Sequence, residues 1–192
     1  MMLRRRFIAT TAAGTILAAS ALACAQTHTT TAFKTGYALV NGLNLYYESH
    51  GTGEPLILLH GGLGATEMFG EVLPLLSKTR RVIAVDLQAH GRTADIDRPM
   101  TFEAMADDIA ALMKHLEIER ADVMGYSLGG GVALRTAIQH PDVVRKLVWH
   151  GSGMSNARLA ILPGLTHYNV FASPALASTV TPFLDAPMPV TK

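Results

Sequence analysis

A largely apolar segment that ends in a serine between two glycines constrains the fold of this chain more than any other feature. Ala121-Asp122-Val123-Met124 leads into Gly125-Tyr126-Ser127-Leu128-Gly129, and residues 128–139 follow a helical pattern. This is G-x-S-x-G in its expected context, with a buried strand before the serine and a helix after it. The pattern predicts a strained turn that projects the Ser127 hydroxyl from the carboxyl edge of a sheet as a nucleophile. The alternative is a packing turn in which Ser127 only caps the helix.

Strands and helices alternate along most of the chain. Continuous apolar runs predict strands buried on both faces, at 55–59, 81–86, 121–125 and 146–150. Apolar side chains at helical spacing predict helices over 66–77, 102–117 (capped by Thr101) and 128–139. Asn41-Gly42 between two β-rich runs predicts a hairpin over 37–47. Together these elements predict an α/β fold, a three-layer sandwich with a mostly parallel central sheet.

The first 25 residues have the features of an export signal. Arg4-Arg5-Arg6 precedes an uncharged run over 8–22, and Ala23-Cys24-Ala25 offers a cleavage site before Gln26. The basic stretch resembles a twin-arginine signal. Because the uncharged run is short for a membrane span, we expect cleavage, no stable membrane insertion afterwards, and a periplasmic or extracellular protein. The alternative is a lipoprotein that carries its lipid on Cys24.

Charge and cysteine content exclude further classes. The full chain has 16 basic and 15 acidic side chains, and removal of the three signal arginines leaves 13 against 15. A mature balance of −2 gives no reason to expect nucleic-acid binding. Cys24 is the only cysteine, so the chain forms no internal disulfide. Met and Leu at helical spacing over 105–116 indicate core packing, and we expect no metal and no cofactor.

Three motifs, in matching order and spacing, resemble the α/β-hydrolase superfamily. They are Leu58-Leu59-His60-Gly61-Gly62, the stretch Val85-Asp86-Leu87-Gln88-Ala89-His90-Gly91-Arg92-Thr93, and the serine motif with the two glycines that follow it. They look like the motifs of small esterases, enol-lactonases and cofactor-free haloperoxidases, and the resemblance covers about 37–155. One departure is Ala89, where the family pattern usually has glycine. We expect a small local adjustment there and no loss of chemistry.

The resemblance implies a role for several residues. Ser127 would attack a carbonyl carbon, and the N–H group of Leu128 would form half of an oxyanion hole. The other half would be the N–H group of Gly62 or Leu63, while His60 would be structural. The implied function is a serine hydrolase of small ester, lactone or related acyl substrates. A cofactor-free perhydrolase with peroxide as acyl acceptor is the alternative enzyme, whereas haloalkane dehalogenation needs an aspartate at the nucleophile position.

The base and the acid of the implied triad have no assignment. By the resemblance, an acid and then a histidine follow the nucleophile, usually after a seventh and an eighth strand. The sequence after Ser127 offers His140, His150 and His167 as bases, and Asp142 and Asp185 as acids. We expect none of them to complete the triad, which leaves a catalytically incomplete fragment as a non-enzymatic alternative.

These interpretations divide the chain into four parts. Residues 1–25 are the expected signal, 26–36 a linker, 37–155 the α/β-hydrolase core, and 156–192 a partial cap or aberrant tail. The last part is rich in proline, and we expect no element there except a short helix near 156–162. We therefore expect a chain that is truncated before the last strands of the fold, with the apolar strand at 146–150 left as an edge.

Overall fold

The computed structural model describes residues 33–150, Val170 and residues 173–187. The expected signal and the helix expected near 156–162 lie outside the described residues. The elements are β1 (Lys34–Val40), β2 (Leu43–His50), β3 (Glu54–Leu59), a 3₁₀ helix (Thr66–Phe69), α1 (Val72–Leu76), β4 (Arg80–Val85), α2 (Phe102–His115), β5 (Ala121–Tyr126), α3 (Leu128–Gln139), β6 (Val144–His150) and α4 (Pro174–Asp185).

One sheet of six strands forms the middle layer, in the order β1-β2-β4-β3-β5-β6. Strands β4, β3, β5 and β6 run parallel, so the mostly parallel sheet predicted from the sequence is confirmed. The antiparallel hairpin β1–β2 is added at one side. Its turn places Asn41 at φ +48° and Gly42 at φ +81°, the left-handed conformations that make Asn-Gly a hairpin signal.

Helices cover both faces of the sheet and complete the predicted three layers. Successive side chains of a strand point to opposite faces, and β3 divides accordingly between two apolar clusters. Ile57 and Leu59 pack with residues of α2 and α3. Leu56 and Leu58 pack with residues of α1 and α4 on the other face. No helix in the described parts of the chain is long and apolar enough to cross a membrane.

Two predicted boundaries were wrong. The single helix expected over 66–77 is a 3₁₀ helix followed by α1, because Gly70 adopts φ +39° and interrupts the helical backbone between them. Strand β1 begins at Lys34, so it takes in residues that the sequence assigned to a linker. The helix over 102–117 is confirmed as α2, with the Thr101 hydroxyl accepting a hydrogen bond from the Ala104 N–H group at 3.1 Å.

The expectation of no further element between 162 and 192 was also wrong, because α4 lies there. Its buried side chains Leu176, Val180 and Leu184 are spaced four residues apart, the period of a helix face. The Ser173 hydroxyl accepts a hydrogen bond from the Ala175 N–H group. Pro174 is the first residue of α4, a position where the fixed φ of proline matches that of a helix. The prolines made this region look irregular in the sequence, although its apolar residues follow the spacing of a helix.

Charged groups fasten α4 to the edge of the sheet where the parallel strands begin. Arg80, at the start of β4, pairs with Asp185 at the end of α4 and with the buried Asp122 of β5, the latter at 2.9 Å. The Lys146 ammonium donates to main-chain carbonyl groups at the end of α4, including that of Leu184 at 2.5 Å. A cation at a helix C-terminus stabilises the unpaired carbonyl groups and the helix dipole.

Candidate active site

Ser127 occupies the turn between β5 and α3 in a conformation that side chains rarely adopt. Its backbone has φ +49° and ψ −111°. The residue is exposed, although Tyr126 before it and Gly129 shortly after it are buried. Strain of this kind persists only where the surrounding structure determines it, and it is concentrated at functional sites.

The glycines on either side of Ser127 are required by backbone contacts. A Cβ atom at Gly125 would lie 2.1 Å from the carbonyl oxygen of Gly129. A Cβ atom at Gly129 would lie 2.3 Å from the carbonyl oxygen of Leu59, at the end of β3. The Gly129 N–H group donates to the His60 carbonyl oxygen at 3.0 Å, which ties the start of α3 to the neighbouring strand. Backbone packing therefore determines the turn on which Ser127 lies.

Residues 60–64, here called the glycine loop, lie beside this turn. A Cβ atom at Gly61 would lie 3.4 Å from the Ser127 Cβ atom, and one at Gly62 would lie 3.9 Å from the Leu128 Cβ atom. Leu128 is the first residue of α3, so its N–H group has no acceptor within the helix. The structure thus brings together Ser127, Leu128 and Gly62, three of the four residues that the sequence nominated.

Leu63, the other candidate for the second oxyanion donor, is at the exposed tip of the glycine loop. Its side chain is fully exposed and its φ is +61°. The loop is closed by a hydrogen bond from the Gly64 N–H group to the Gly61 carbonyl oxygen at 3.1 Å. Gly62 lies beside Leu128 at the start of α3, so it is the better candidate for the second donor.

Both ring nitrogens of His60 are engaged by the main chain. The fully buried ring accepts a hydrogen bond from the Leu87 N–H group through Nε2 at 3.0 Å. Nδ1 must then carry the proton, and it donates to the Gly61 carbonyl oxygen at 2.7 Å. Burial lowers the pKa of His60 below its ordinary value of 6.5, which favours this neutral form. His60 connects the glycine loop to the loop after β4.

The loop after β4 is organised around the buried carboxylate of Asp86. This carboxylate accepts hydrogen bonds from the N–H groups of Thr66 (2.7 Å) and Arg92 (2.9 Å). A Cβ atom at Gly91 would lie 2.2 Å from its Oδ2 atom. Ala89 has φ +59°, a left-handed conformation that glycine adopts without strain, which explains why glycine is usual at this position. The expected local adjustment is therefore an alanine held in that conformation.

The described residues leave the base and the acid of a triad unassigned. Nε2 of His140 lies 2.8 Å from Asp107 on the surface, Asp142 is exposed, and Asp185 is at the opposite edge of the sheet. His150 ends β6 and pairs through its backbone with Tyr126, while His167 lies outside the described residues.

One contact of the glycine loop was not foreseen from the sequence. The Gly61 N–H group donates to the Sδ atom of Met68, in the 3₁₀ helix, at 3.3 Å. A methionine among apolar neighbours indicates core packing, so the sequence carried no signal for this contact. Within 33–150, Val170 and 173–187, no three His, Cys, Asp or Glu side chains are grouped so that they could hold a metal ion.

The known proteins that this chain resembles include hydrolases. A family model described as alpha/beta hydrolase fold matches residues 54–181. The chain is 39% identical over 115 residues to 2-hydroxymuconate semialdehyde hydrolase of Pseudomonas sp. (strain CF600), a match that covers 58% of this chain and 41% of that protein. It is 37% identical over 113 residues to a soluble epoxide hydrolase of Corynebacterium sp. (strain C12), covering 57% and 38%.

A solved structure is also similar to this chain. The enol-lactonase from Burkholderia xenovorans LB400 superposes with a TM-score of 0.56 and 30% sequence identity, covering 58% of this chain and 44% of that one. The match to each of these three proteins thus spans about two fifths of its length.

Proposed function

The chain belongs to the alpha/beta hydrolase family, and on that premise we propose that Ser127 is the nucleophile of a serine hydrolase acting on small ester, lactone or related acyl substrates. The observation that carries the proposal is the turn itself. An exposed serine with φ +49° stands at the start of α3, beside a glycine loop. Among the similar proteins, the enol-lactonase supports this class of substrate, because a lactone is a cyclic ester.

We assign two parts of acyl transfer to this site. The Ser127 Oγ atom attacks the carbonyl carbon, and the carbonyl oxygen becomes a tetrahedral oxyanion. The N–H groups of Leu128 and Gly62 are the proposed donors to that oxyanion, supported by the positive end of the α3 dipole. The Oγ proton ends on the leaving oxygen, so collapse of the intermediate releases an alcohol and leaves an acyl-serine ester. Water then hydrolyses this ester to a carboxylic acid and free Ser127. We assign no protein group to carry the proton.

A fluorophosphonate probe tests the nucleophile directly, because it phosphonylates an activated serine. We expect intact-mass and peptide analysis to find one adduct, on Ser127. Ser127→Ala should remove the adduct while leaving the thermal unfolding midpoint unchanged. Ser178→Ala changes an exposed serine of α4 and is a control that should keep the adduct. Labelling that survives in Ser127→Ala would overturn the assignment.

A second candidate function is binding of small acyl compounds without turnover. It is favoured by the contacts of two candidate triad residues, because His140 pairs with Asp107 on the surface and Asp185 pairs with Arg80 at the opposite edge of the sheet. A serine without a base reacts slowly, although an oxyanion hole alone accelerates a reaction by roughly 10³–10⁴ over water in a well-studied protease. Hydrolysis of p-nitrophenyl acetate distinguishes the two candidates. Repeated turnover that Ser127→Ala abolishes supports the hydrolase, and no release above that of Ser127→Ala supports the binder.

We also propose that the protein is exported and that residues 1–25 are removed. The support is the order of the basic stretch, the uncharged run and the small residues before Gln26. Amino-terminal sequencing of protein from the cell-exterior fraction should then begin at or near Gln26. An intact Met1 on that protein would contradict the proposal, and a lipid-modified Cys24 at the amino terminus would identify a lipoprotein instead.

A further inference from the structure

We propose that Met68 is a positioning residue whose thioether holds the glycine loop in place, and that oxidation of its sulfur by a peroxide releases the loop and slows the reaction of Ser127. The inference rests on the proposed function, because it assigns a task to the loop that carries the second oxyanion donor. The proposed modification site, the Met68 sulfur, contacts the glycine loop and is not one of the reacting groups.

The sulfur of Met68 contacts the glycine loop at two points. It accepts a hydrogen bond from the Gly61 N–H group at 3.3 Å. A Cβ atom at Gly64 would lie 2.7 Å from the same sulfur, so the loop backbone packs directly on the thioether. Since the Gly61 carbonyl accepts from the Gly64 N–H group, the sulfur touches both ends of this closed turn.

Met68 is itself held by the fold. It belongs to the 3₁₀ helix, whose next residue, Phe69, is fully buried in the core. The first residue of that helix, Thr66, donates its N–H group to the buried carboxylate of Asp86 at 2.7 Å. The sulfur is therefore presented to Gly61 from a position fixed by the core on one side and by the loop after β4 on the other.

The position of Gly61 decides the position of the proposed oxyanion donor. A Cβ atom at Gly61 would be only 3.4 Å from that of Ser127, and Gly62 follows immediately. Donors act in the transition state only when they are held at hydrogen-bonding distance from the developing charge. A displacement of about 1 Å at such a site can cost about 100-fold in rate. Loss of the sulfur contact is thus expected to change reactivity more than stability.

Oxidation would break this arrangement chemically. Peroxide transfers one oxygen atom to a sulfur lone pair, so that the thioether becomes a sulfoxide and the peroxide is reduced to water (or, from an alkyl peroxide, to the alcohol). The sulfur loses two electrons and gains a polar oxygen where it now packs against Gly61 and Gly64. Because the loop backbone packs directly on the sulfur, we expect the added oxygen to displace the loop.

Exposure makes Met68 more susceptible than most other methionines of the described residues. Met68 is partly exposed, whereas Met105, Met113 and Met124 are buried. Met100 is 54% exposed and lies in the segment that precedes α2. Met100→Leu is therefore a matched control, because it removes an oxidisable methionine without touching the loop.

The first experiment measures the rate constant for fluorophosphonate labelling of Ser127 in wild type, Met68→Leu and Met100→Leu. We expect Met68→Leu to be labelled about tenfold more slowly, less than the 100-fold or more that loss of a whole oxyanion donor costs. With p-nitrophenyl acetate, kcat should fall and KM should stay constant, as for a contact used in the transition state. Met100→Leu should match wild type in every measurement.

Hydrogen peroxide should then reproduce the substitution. Treated wild type and Met100→Leu should gain one oxygen atom at Met68 and slow to the rate of Met68→Leu. Met68→Leu should not slow further, and a methionine sulfoxide reductase should restore the treated wild type. Equal slowing of Met68→Leu by peroxide would overturn the proposed modification site.

Amide hydrogen exchange separates this inference from the proposed function, since it does not depend on the reactivity of Ser127. Peptides over 60–64 should exchange faster in Met68→Leu and in oxidised wild type than in Met100→Leu. Unchanged exchange there would overturn the role of Met68. If exchange is faster in Met68→Leu but the probe never labels the wild type, the role of Met68 is supported and the serine nucleophile is contradicted.

Discussion

The two edges of the parallel sheet use their polar groups in opposite ways. At the edge where the strands begin, the fully buried Asp122 accepts hydrogen bonds from Arg80 at 2.9 Å and from Arg145 at 2.8 and 2.9 Å. At the edge where the strands end, Ser127 is exposed and strained. The first edge pairs its charges, and the second presents a hydroxyl group to solvent.

This difference indicates what each edge contributes to the protein. The carboxylate of Asp122 has partners for both oxygens, and among the described side chains only the Nε atom of Arg80 is buried without one. Removal of one partner would leave a buried charge less compensated, so the stability of the fold is sensitive to substitution at this edge. The strained turn lowers stability and is maintained by backbone contacts around Gly125 and Gly129. Substitutions can test that division edge by edge.

The largest expected effect is at the strained turn. In Gly129→Ala the new Cβ atom would lie 2.3 Å from a main-chain oxygen, so β3 and α3 must separate. We expect labelling of Ser127 to fall by more than about 100-fold, since a displacement of about 1 Å suffices for that. The control is Gly131→Ala, whose Cβ atom would meet only the ring of the exposed Phe102. If both variants lose labelling equally, the backbone contact is not the cause.

A smaller effect on reactivity and a large one on stability is expected at the opposite edge. Asp122→Ala removes the fully buried partner of Arg80, and we expect a loss near the lower end of the about 3–5 kcal/mol that an uncompensated buried charge costs, because Arg80 keeps Asp185. Urea unfolding should show this loss, while the folded fraction keeps the wild-type labelling rate of Ser127. Glu54→Ala removes an exposed partner of Arg145 and should cost less than about 1 kcal/mol. A labelling rate that falls in Asp122→Ala below the unfolding transition would show that the edges are coupled.

The sequence predicted the two edges unequally well. The turn at Ser127 was predicted because it combines residue types that few other structures require, a serine between glycines after a buried strand. The cluster at Asp122 was not predicted, because its members come from β3, β4, β5, β6 and α4 and have no common spacing. Helix α4 was missed because its prolines resemble those of an irregular segment, although Pro174 opens the helix. The sulfur contact of Met68 depends on three-dimensional packing alone.

The next prediction concerns the acid stability of the carboxyl edge. Burial lowers the pKa of His60 in the folded protein below the ordinary 6.5, so the unfolded chain binds its proton more readily. The contribution of neutral His60 is therefore complete above about pH 6.5 and is lost as the pH falls from there through the folded pKa. The unfolding midpoint should decrease over that range, and less steeply in His60→Gln. Identical slopes in wild type and His60→Gln would mean that His60 does not set the dependence.

The smallest expected effect is a gain at Ala89, in the loop after β4. Its φ of +59° lies in the left-handed region, where a Cβ atom costs roughly 1–2 kcal/mol and glycine is unstrained. Glycine also gives the unfolded chain more freedom, which offsets part of the gain, so Ala89→Gly should raise the unfolding free energy by about 0.5–1 kcal/mol. Ala94→Gly is the matched control, because Ala94 is exposed in the same loop but is outside the left-handed region, and it should lower stability slightly. Chemical denaturation of the two variants beside wild type gives the comparison. If Ala89→Gly also slows labelling of Ser127, the strained alanine is needed to hold the carboxyl edge. If labelling is unchanged, this strain is separate from the strain at Ser127, and only the latter belongs to the reaction.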